Sequence, residues 1–95
     1  MKNGGYTYIV TNKYKNVFYI GVTSNLVGRI YEHKNGIGSK FTTKYRCTDL
    51  VYYEWFENIS HAIEREKQLK NWHRDWKINL IKQENPLMVD LYDTL

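Results

Sequence analysis

The stretch FYIGVTSNLVGRIYEH, residues 18 to 33, changes halfway from the pattern of a β-strand to that of a helix. Its first part, up to Gly21, is rich in residues that favour strands, and polar residues 23–25 then predict a turn. In the helical part, Arg29 and His33 lie one turn apart on the flank of the apolar stripe, whereas Glu32 is predicted to point away. The stretch therefore brings a phenol, a guanidinium and an imidazole toward one place, where a functional site can form.

Upstream, two short runs of strand-favouring residues, 6–12 and 17–22, flank the polar segment NKYKN. This arrangement predicts an antiparallel hairpin. Side chains alternate between the two faces of a strand, so Tyr8 and Tyr19 are expected on faces that can meet across the hairpin. Thr23 or Ser24 is the predicted N-cap of the helix that follows.

Residues 36–46, GIGSKFTTKYR, are predicted to form a loop after this helix. The cations of the loop suit phosphate oxygens, and Phe41 and Tyr45 can stack on unpaired bases. A solvated loop anchored by its two rings explains the same composition equally well. The run LVYYEWF at 50–56 then predicts a third strand.

Two helices are predicted after the third strand, one capped by Ser60 and running to about residue 72, and one over about 74–83. The second ends before Pro86, because the residue preceding a proline disfavours helical geometry. The order ββαβαα predicts an α+β fold, a small three-stranded antiparallel sheet flanked by helices. With 95 residues the chain is expected to be a single domain, 1–95, with 84–95 a tail packed on it.

The chain is basic, with 14 Lys and Arg against ten Asp and Glu and a net charge of +4. Nucleic acid is the usual polyanionic partner of such a surface, although a soluble basic surface without a partner accounts for the charge as well. The cations expected to contact nucleic acid belong to the 36–46 loop and to the two last helices. They are Lys40, Lys44, Arg46, Lys67, Lys70 and Arg74.

Several classes of protein are disfavoured by the remaining composition. Cys47 is the single cysteine, so neither an intrachain disulfide nor a thiolate zinc site can form. His33, His61 and His73 match no usual zinc spacing. No stretch approaches the roughly 20 apolar residues needed to cross a bilayer, so no membrane association is expected and the protein is predicted to be cytoplasmic.

Glu66 is the most informative acidic residue. On a helical wheel it lies between Ala62 and Leu69, in the middle of the apolar stripe. A buried carboxylate without a partner is costly, so Glu66 needs either an internal arginine such as Arg29 or a divalent metal at the edge of a cleft. A single carboxylate argues against a site with two metal ions.

Short motifs follow one another in a characteristic order along the chain. They are Tyr6-Thr7-Tyr8, Tyr19-Ile20-Gly21, Arg29, His33, Glu66 and Asn85-Pro86. In this order they resemble the GIY-YIG nuclease superfamily, and most of all its small single-domain members, which are similar to the N-terminal domain of excision-repair nucleases. The second motif is intact, whereas only Tyr8 matches the first. The resemblance covers almost the whole chain.

The resemblance implies a metal-dependent endonuclease that hydrolyses phosphodiester bonds of DNA, structured or branched DNA included, with a role in DNA repair. It implies one Mg²⁺ or Mn²⁺ held by Glu66, with Tyr19 as the general base and Tyr8 as its hydrogen-bonded helper. It further implies that Arg29 stabilises charge on the scissile phosphate and that His33 assists proton transfer. RNA as a substrate stays open, as does the choice between a monomer and a weak homodimer.

Two other classes of function fit the same residues. One is a non-catalytic nucleic-acid-binding module that retains the scaffold, and the other is a protein-interaction domain whose basic charge is incidental. An enzyme loses cleavage but keeps binding when Glu66 becomes Ala. A binding module shows salt-dependent affinity without products, and an interaction domain shows neither.

Overall fold

Residues 3–95 are described by the computed structural model, so residues 1 and 2 of the predicted domain lie outside the described part. The order of the elements is ββααβαα, followed by a short 3-10 turn. The strands and helices are β1 Gly5–Thr11, β2 Phe18–Thr23, α1 Leu26–Lys34, α2 Lys40–Tyr45, β3 Asp49–Phe56, α3 Ile59–Lys70 and α4 Arg74–Glu84. Each helix within residues 3–95 is too short or too polar to span a bilayer.

The three strands form one antiparallel sheet in the order β2-β1-β3. Tyr8 of β1 pairs with Gly21 of β2, and Val10 pairs with Tyr19. Tyr8 and Tyr19 therefore lie on the same face as diagonal neighbours, close enough for aromatic side chains to interact. Because β2 is an outer strand, side chains from both layers of the fold can meet at its edge.

A separate hydrophobic core covers each face of the sheet. The core beneath α3 and α4 is made of aliphatic and aromatic side chains that include Ile9, Ile20, Val51, Leu69 and Ile81. The core beneath α1 includes Tyr8, Val10, Leu26, Ile30 and Leu50. The sheet is thus sandwiched between two layers, as expected when both faces of a small sheet are apolar.

The N-caps of α1 and α3 are asparagines, whereas the sequence predicted threonine or serine as the caps. Asn25 caps α1 and Asn58 caps α3, each accepting a backbone N–H from the first turn of its helix. The predicted caps Thr23, Ser24 and Ser60 are therefore wrong by one or two positions. Asparagine is as good an N-cap as serine, and a run of such residues gives the sequence several equivalent starts.

The segment predicted to be a loop, 36–46, contains the short helix α2. Its start is a capping box, in which Ser39 Oγ accepts the N–H of Thr42 at 3.1 Å and Thr42 Oγ1 accepts the N–H of Ser39 at 3.2 Å. Arg46 ends it in the left-handed conformation, with φ of 56°. The capping box was the one local signal for this helix.

The tail after α4 is hydrogen-bonded to the start of β3. The side-chain amide of Asn85 donates to the carbonyls of Val51 and Val89 at 3.1 and 2.8 Å, and its oxygen accepts the N–H of Val89 at 3.0 Å. Further on, the N–H of Leu91 donates to the carbonyl of Leu50 at 2.7 Å. These contacts occupy backbone groups that an outer strand otherwise leaves open.

Replacing Asn85 by Ala removes its hydrogen bonds and leaves the carbonyl of Val51 and the N–H of Val89 without them. We expect the free energy of unfolding, measured in urea by far-UV circular dichroism, to fall by about 1–3 kcal/mol. Gln83→Ala, an exposed position in α4, is the matched control and should change it by less than about 0.5 kcal/mol. Equal stability of the two variants would contradict this role of the tail.

Candidate active site

A buried hydrogen bond joins Tyr8, in the central strand, to His33, in the last turn of α1. Tyr8 Oη lies 2.8 Å from His33 Nε2, and both side chains are almost completely excluded from solvent. The phenol passes directly over Gly21, where a Cβ atom would lie 2.4 Å from Tyr8 Oη. Only glycine leaves room for the Tyr8 phenol there, which explains in structural terms why the second motif ends in Gly21.

The second ring nitrogen of His33 also has a partner. His33 Nδ1 lies 3.0 Å from Thr42 Oγ1, in the first turn of α2. A Cβ atom at Gly38 would come within 2.1 Å of the same nitrogen, so the chain preceding α2 runs against the ring. The sequence prediction missed Thr42 because the segment was interpreted as a loop.

Both members of the buried pair are held in their neutral forms. Burial lowers the pKa of His33, and the charge of Arg29 lowers it further. Burial also raises the pKa of Tyr8, with additional contributions from Tyr19 and Glu66, while Arg29 opposes them. Neither a histidinium nor a Tyr8 phenolate is favoured at neutral pH.

Tyr19 stands beside this pair with part of its surface in solvent. Its ring centroid is 5.9 Å from that of His33 in an edge-on arrangement and 5.8 Å from that of Phe41 in α2. These rings confine the phenol of Tyr19 from two sides. The hydroxyl group is thus attached to a well-packed ring at the rim of the site.

Arg29 and Glu66 do not form the ion pair that was one of the two alternatives left open by the sequence. Arg29 Nε lies 3.2 Å from Glu32, and Glu66 lies 3.3 Å from Lys70 Nζ, so neither pairs with the other. The prediction that Glu32 points away is wrong. Neighbours three or four residues apart on one helix are close whatever the tertiary fold, and here each charge takes such a partner.

Glu66 approaches the site from α3, in the opposite layer to α1. Ala62 and Leu69 beside it are completely buried, as the helical wheel predicted, whereas the Glu66 side chain is 21% exposed. Its negative charge contributes to the raised pKa of Tyr8. The helix that carries it, α3, packs against both β1 and β2.

Of the five side chains expected at the site, Tyr8, Tyr19 and His33 are packed together beside β2. The charges of Arg29, on α1, and Glu66, on α3, act on the Tyr8 phenol. Hereafter this place is called the β2-edge site. Its interior is a neutral, hydrogen-bonded pair, and its rim carries one partly exposed phenol, one guanidinium and one carboxylate. Such a rim can bind a phosphodiester through charge and through hydrogen bonds to its oxygens.

The side chains at this site can bind a hard divalent cation such as Mg²⁺ only if the cation keeps most of its water ligands. Residues 3–95 contain no cluster of three or more His, Cys, Asp and Glu side chains that could enclose a metal ion. Glu66 offers carboxylate oxygens, the ligands that Mg²⁺ prefers, together with partial exposure. Its remaining ligands would have to come from water and from a phosphate.

The six cations expected to contact nucleic acid fall into two groups. Lys40, Lys44 and Arg46 are exposed on α2, and Lys67, Lys70 and Arg74 are exposed on α3 and α4. Arg74 also has a structural contact, because its guanidinium donates to the carbonyl of Asn16 at 2.7 Å and lies 5.3 Å from the centroid of the Phe18 ring.

Comparison with known proteins identifies the class to which this fold and site belong. Residues 4–79 match the family model described as the GIY-YIG catalytic domain. The chain therefore belongs to the GIY-YIG family, whose domains are nucleases that generally use divalent metal ions and act on DNA. The family predicted from the sequence motifs is confirmed.

Within this family, the relatives are small single-domain UPF0213 proteins. One from Staphylococcus haemolyticus is 40% identical over 82% of this chain and 94% of its own length. One from Pediococcus pentosaceus is 35% identical over 94% of this chain and 93% of its own length.

A solved structure of the same kind supports the fold. The solution NMR structure of a UPF0213 protein from Bacillus halodurans has a TM-score of 0.58 and 26% sequence identity, covering 96% of this chain and 93% of that one. The predicted α+β class, with a small three-stranded antiparallel sheet flanked by helices, is confirmed, and α2 is added to the predicted order.

The neutral state of His33 predicts how the folding stability depends on pH. Because folding lowers the pKa of His33 below its ordinary value of about 6.5, the unfolded chain binds this proton more readily. The stability contributed by the neutral ring is present above about pH 6.5 and is lost as the pH falls below it. We expect NMR titration to give a His33 pKa below 6.5, with the signals assigned by comparison with His33→Gln. A His33 pKa above 6.5 would contradict the buried neutral pair.

Proposed function

We propose that this protein is a DNA endonuclease that hydrolyses a phosphodiester bond at the β2-edge site. The observation that supports this most strongly is the convergence of Tyr19, Arg29 and Glu66, from three different elements, around the buried Tyr8–His33 pair. A packing role alone does not require a phenol, a guanidinium and a carboxylate at one solvent-accessible edge. In-line hydrolysis of a phosphodiester needs a group that accepts a proton and groups that stabilise charge on the phosphate, and these three side chains can fill those roles.

Tyr19 is the proposed general base. It is the phenol with access to solvent, whereas Tyr8 is buried and its pKa is raised. Placed at the rim, Tyr19 is the group that would accept a proton from the attacking water. The water oxygen then forms the new bond to phosphorus and the bond from phosphorus to the 3′ oxygen breaks. The 3′ oxygen leaves with the electron pair of that bond and takes a proton from solvent, so the products carry a 5′-phosphate and a 3′-hydroxyl.

Tyr8 and His33 act together as the neutral support of this reaction. Both resist ionisation, so the hydrogen bond between them survives over the working pH range. His33 then holds Tyr8 in a fixed position beside Tyr19, its diagonal neighbour in the sheet.

Arg29 and Glu66 are free to exchange partners when DNA binds. Their present partners, Glu32 and Lys70, are close neighbours on the same helices and partly exposed, and such pairs contribute about 0–1 kcal/mol. Arg29 is proposed to contact the scissile phosphate, where a bidentate guanidinium stabilises the developing charge. Glu66 is proposed to hold one Mg²⁺ or Mn²⁺, which when bound supplies further positive charge at the phosphate oxygens.

The surface charge favours a nucleic acid as the substrate. The net charge is +4, and exposed cations lie on α2 and on the α3–α4 side. DNA is the proposed substrate because the family acts on it, and RNA is the comparison to run beside it. Residues 3–95 form one such site, so cleavage of both strands needs two encounters or a weak homodimer. A role in DNA repair and a cytoplasmic location belong to this proposal.

The second candidate is a nucleic-acid-binding module without catalysis. The degenerate first motif, Tyr6-Thr7-Tyr8, and the ion pair that occupies Glu66 favour it. In this alternative Lys70 remains ion-paired with the Glu66 carboxylate, and no metal ion displaces Lys70. The two candidates differ in one observable, the appearance of cleaved product.

Supercoiled plasmid incubated with Mg²⁺ or Mn²⁺ should be nicked, and a chelator should prevent it. Glu66→Gln and Tyr19→Phe should lower the rate about 100-fold or more, because each removes a group that acts on the reacting atoms. Binding of DNA, measured by fluorescence anisotropy, should change little. Glu64→Gln, on the exposed face of α3, and Tyr31→Phe, exposed on α1, are the matched controls and should cut normally.

Equal nicking by wild type and both site variants would contradict the proposed mechanism. Salt-dependent binding without products from the wild type would favour the binding module instead.

A further inference from the structure

A cleft of about 520 Å³ lies between the β1–β2 turn, the end of α1 and α2. Its volume is in the range of small-molecule sites in proteins. Tyr19, Arg29 and Glu66 do not line it, so it is distinct from the β2-edge site. His33, however, lines the cleft and also belongs to the β2-edge site, so this one side chain lies between the two sites. It is called the α2 cleft below.

The lining of the α2 cleft is suited to an anion. Three of its residues, Lys13, Lys34 and Arg46, are cations, and no acidic residue lines it. Lys34 is engaged with Asp90 and with the carbonyl of Thr48. No carboxylate within residues 3–95 forms an ion pair with Lys13 or Arg46, so both are available to a phosphate group.

Two tyrosines in the wall of the cleft are unusually exposed. Tyr14 is 76% exposed and Tyr45 is 41% exposed. Lys13 Nζ lies 5.9 Å from the centroid of the Tyr14 ring, so a cation and an aromatic face are presented side by side. Exposed rings next to cations are the usual means of binding single-stranded nucleic acid, because every base can stack on them.

We propose that the α2 cleft binds one unpaired nucleotide of the DNA strand that is cut at the β2-edge site. The base would stack on Tyr14 or Tyr45, and the phosphate would be bound by Lys13 and Arg46. A base within a duplex is paired and stacked, so it enters the cleft only at an additional cost in free energy. This inference rests on the proposed function and names its substrate class, DNA with an unpaired nucleotide next to the cleaved bond.

The test uses Glu66→Gln, so that binding is measured without cleavage. Fluorescence anisotropy compares a fully paired duplex with the same duplex carrying a short unpaired flap, in a buffer with Mg²⁺. We expect the flap to bind about tenfold or more tightly. In the same background, Tyr14→Ala and Arg46→Ala should each remove most of this preference, and Tyr31→Ala, an exposed tyrosine outside the cleft, should retain it.

Equal affinity for the two DNAs, or a preference that persists in both cleft variants, would overturn the proposal. Because Tyr14 and Arg46 are exposed, the fold of the variants should be intact, and circular dichroism checks this. A flap preference without cleavage by the wild type would support the cleft and reject the nuclease. Cleavage by the wild type without a flap preference would support the nuclease and reject the cleft as a nucleotide-binding site.

The hydroxyl of Thr42 carries a second, independent inference. Thr42 Oγ1 accepts the N–H of Ser39 at 3.2 Å. Its own proton can go to Ser39 Oγ at 2.9 Å or to the Ser39 carbonyl at 3.3 Å, both within the capping box. With the Thr42 proton directed to Ser39, the donor in the 3.0 Å contact with His33 Nδ1 is the ring. We infer that Thr42 is a positioning residue that holds His33 with its proton on Nδ1, so that Nε2 accepts the hydroxyl proton of Tyr8.

Imidazole ¹⁵N shifts report this tautomer directly. In the wild type we expect the protonated nitrogen to be Nδ1. Thr42→Val should shift the population toward the Nε2-protonated form, and Thr42→Ser should restore it. Thr43→Val is the matched control, since the Thr43 hydroxyl donates to the carbonyl of Gly36 and not to the ring. A wild-type ring protonated on Nε2, or shifts unchanged in Thr42→Val, would overturn the inference.

Discussion

The hydrogen bond between Tyr8 and His33 is the interaction on which the β2-edge site depends. It joins the central strand to the end of α1 inside the protein, where an unpaired hydroxyl or ring nitrogen would be costly. Both ring nitrogens of His33 are within hydrogen-bonding distance of a hydroxyl, and no buried side-chain nitrogen or oxygen within residues 3–95 lacks a partner. A buried polar network whose hydrogen bonds are all made holds its side chains in fixed positions. The Tyr19 hydroxyl at the rim needs such a fixed support in order to react.

The edge position of β2 explains how so small a domain can build a site from two layers. Tyr8 and His33 come from the layer of α1, whereas Glu66 comes from α3 on the other face, and an outer strand separates them. Gly21 lets the phenol of Tyr8 pass over this strand. Hydrolysis of a phosphodiester depends mainly on the placement of charges around the phosphate, so an exposed edge suffices where a deep pocket is absent.

Much of the fold was accessible from the sequence because its signals are local. Alternating residues predicted the hairpin, and the spacing of Arg29 and His33 predicted their common face. The helix α2 was missed because six residues are too few for an amphipathic period, and only Ser39 and Thr42 indicated it. The N-cap of α1 was misassigned because Asn25 follows two other good capping residues.

The site was less accessible, because its geometry depends on contacts between elements. Sequence spacing could not show that Thr42 folds back onto His33, nor that the β1–β2 turn and α2 leave a cleft beside it. It also left open a pair between Arg29 and Glu66, where the structure gives each a neighbour on its own helix. The proposed roles of these residues came from family resemblance, and geometry adds that Tyr8 and His33 are neutral while Tyr19 is accessible.

The central claim is that Glu66, Tyr19 and Arg29 act on one phosphate at the edge of β2. A crystal structure of Tyr19→Phe with Mn²⁺ and a short DNA tests it most directly, because the anomalous signal of manganese locates the metal. The account predicts one Mn²⁺ bound to a Glu66 oxygen and to an oxygen of a phosphate that also contacts Arg29. Manganese away from Glu66, or DNA bound with no phosphate at this edge, would contradict it.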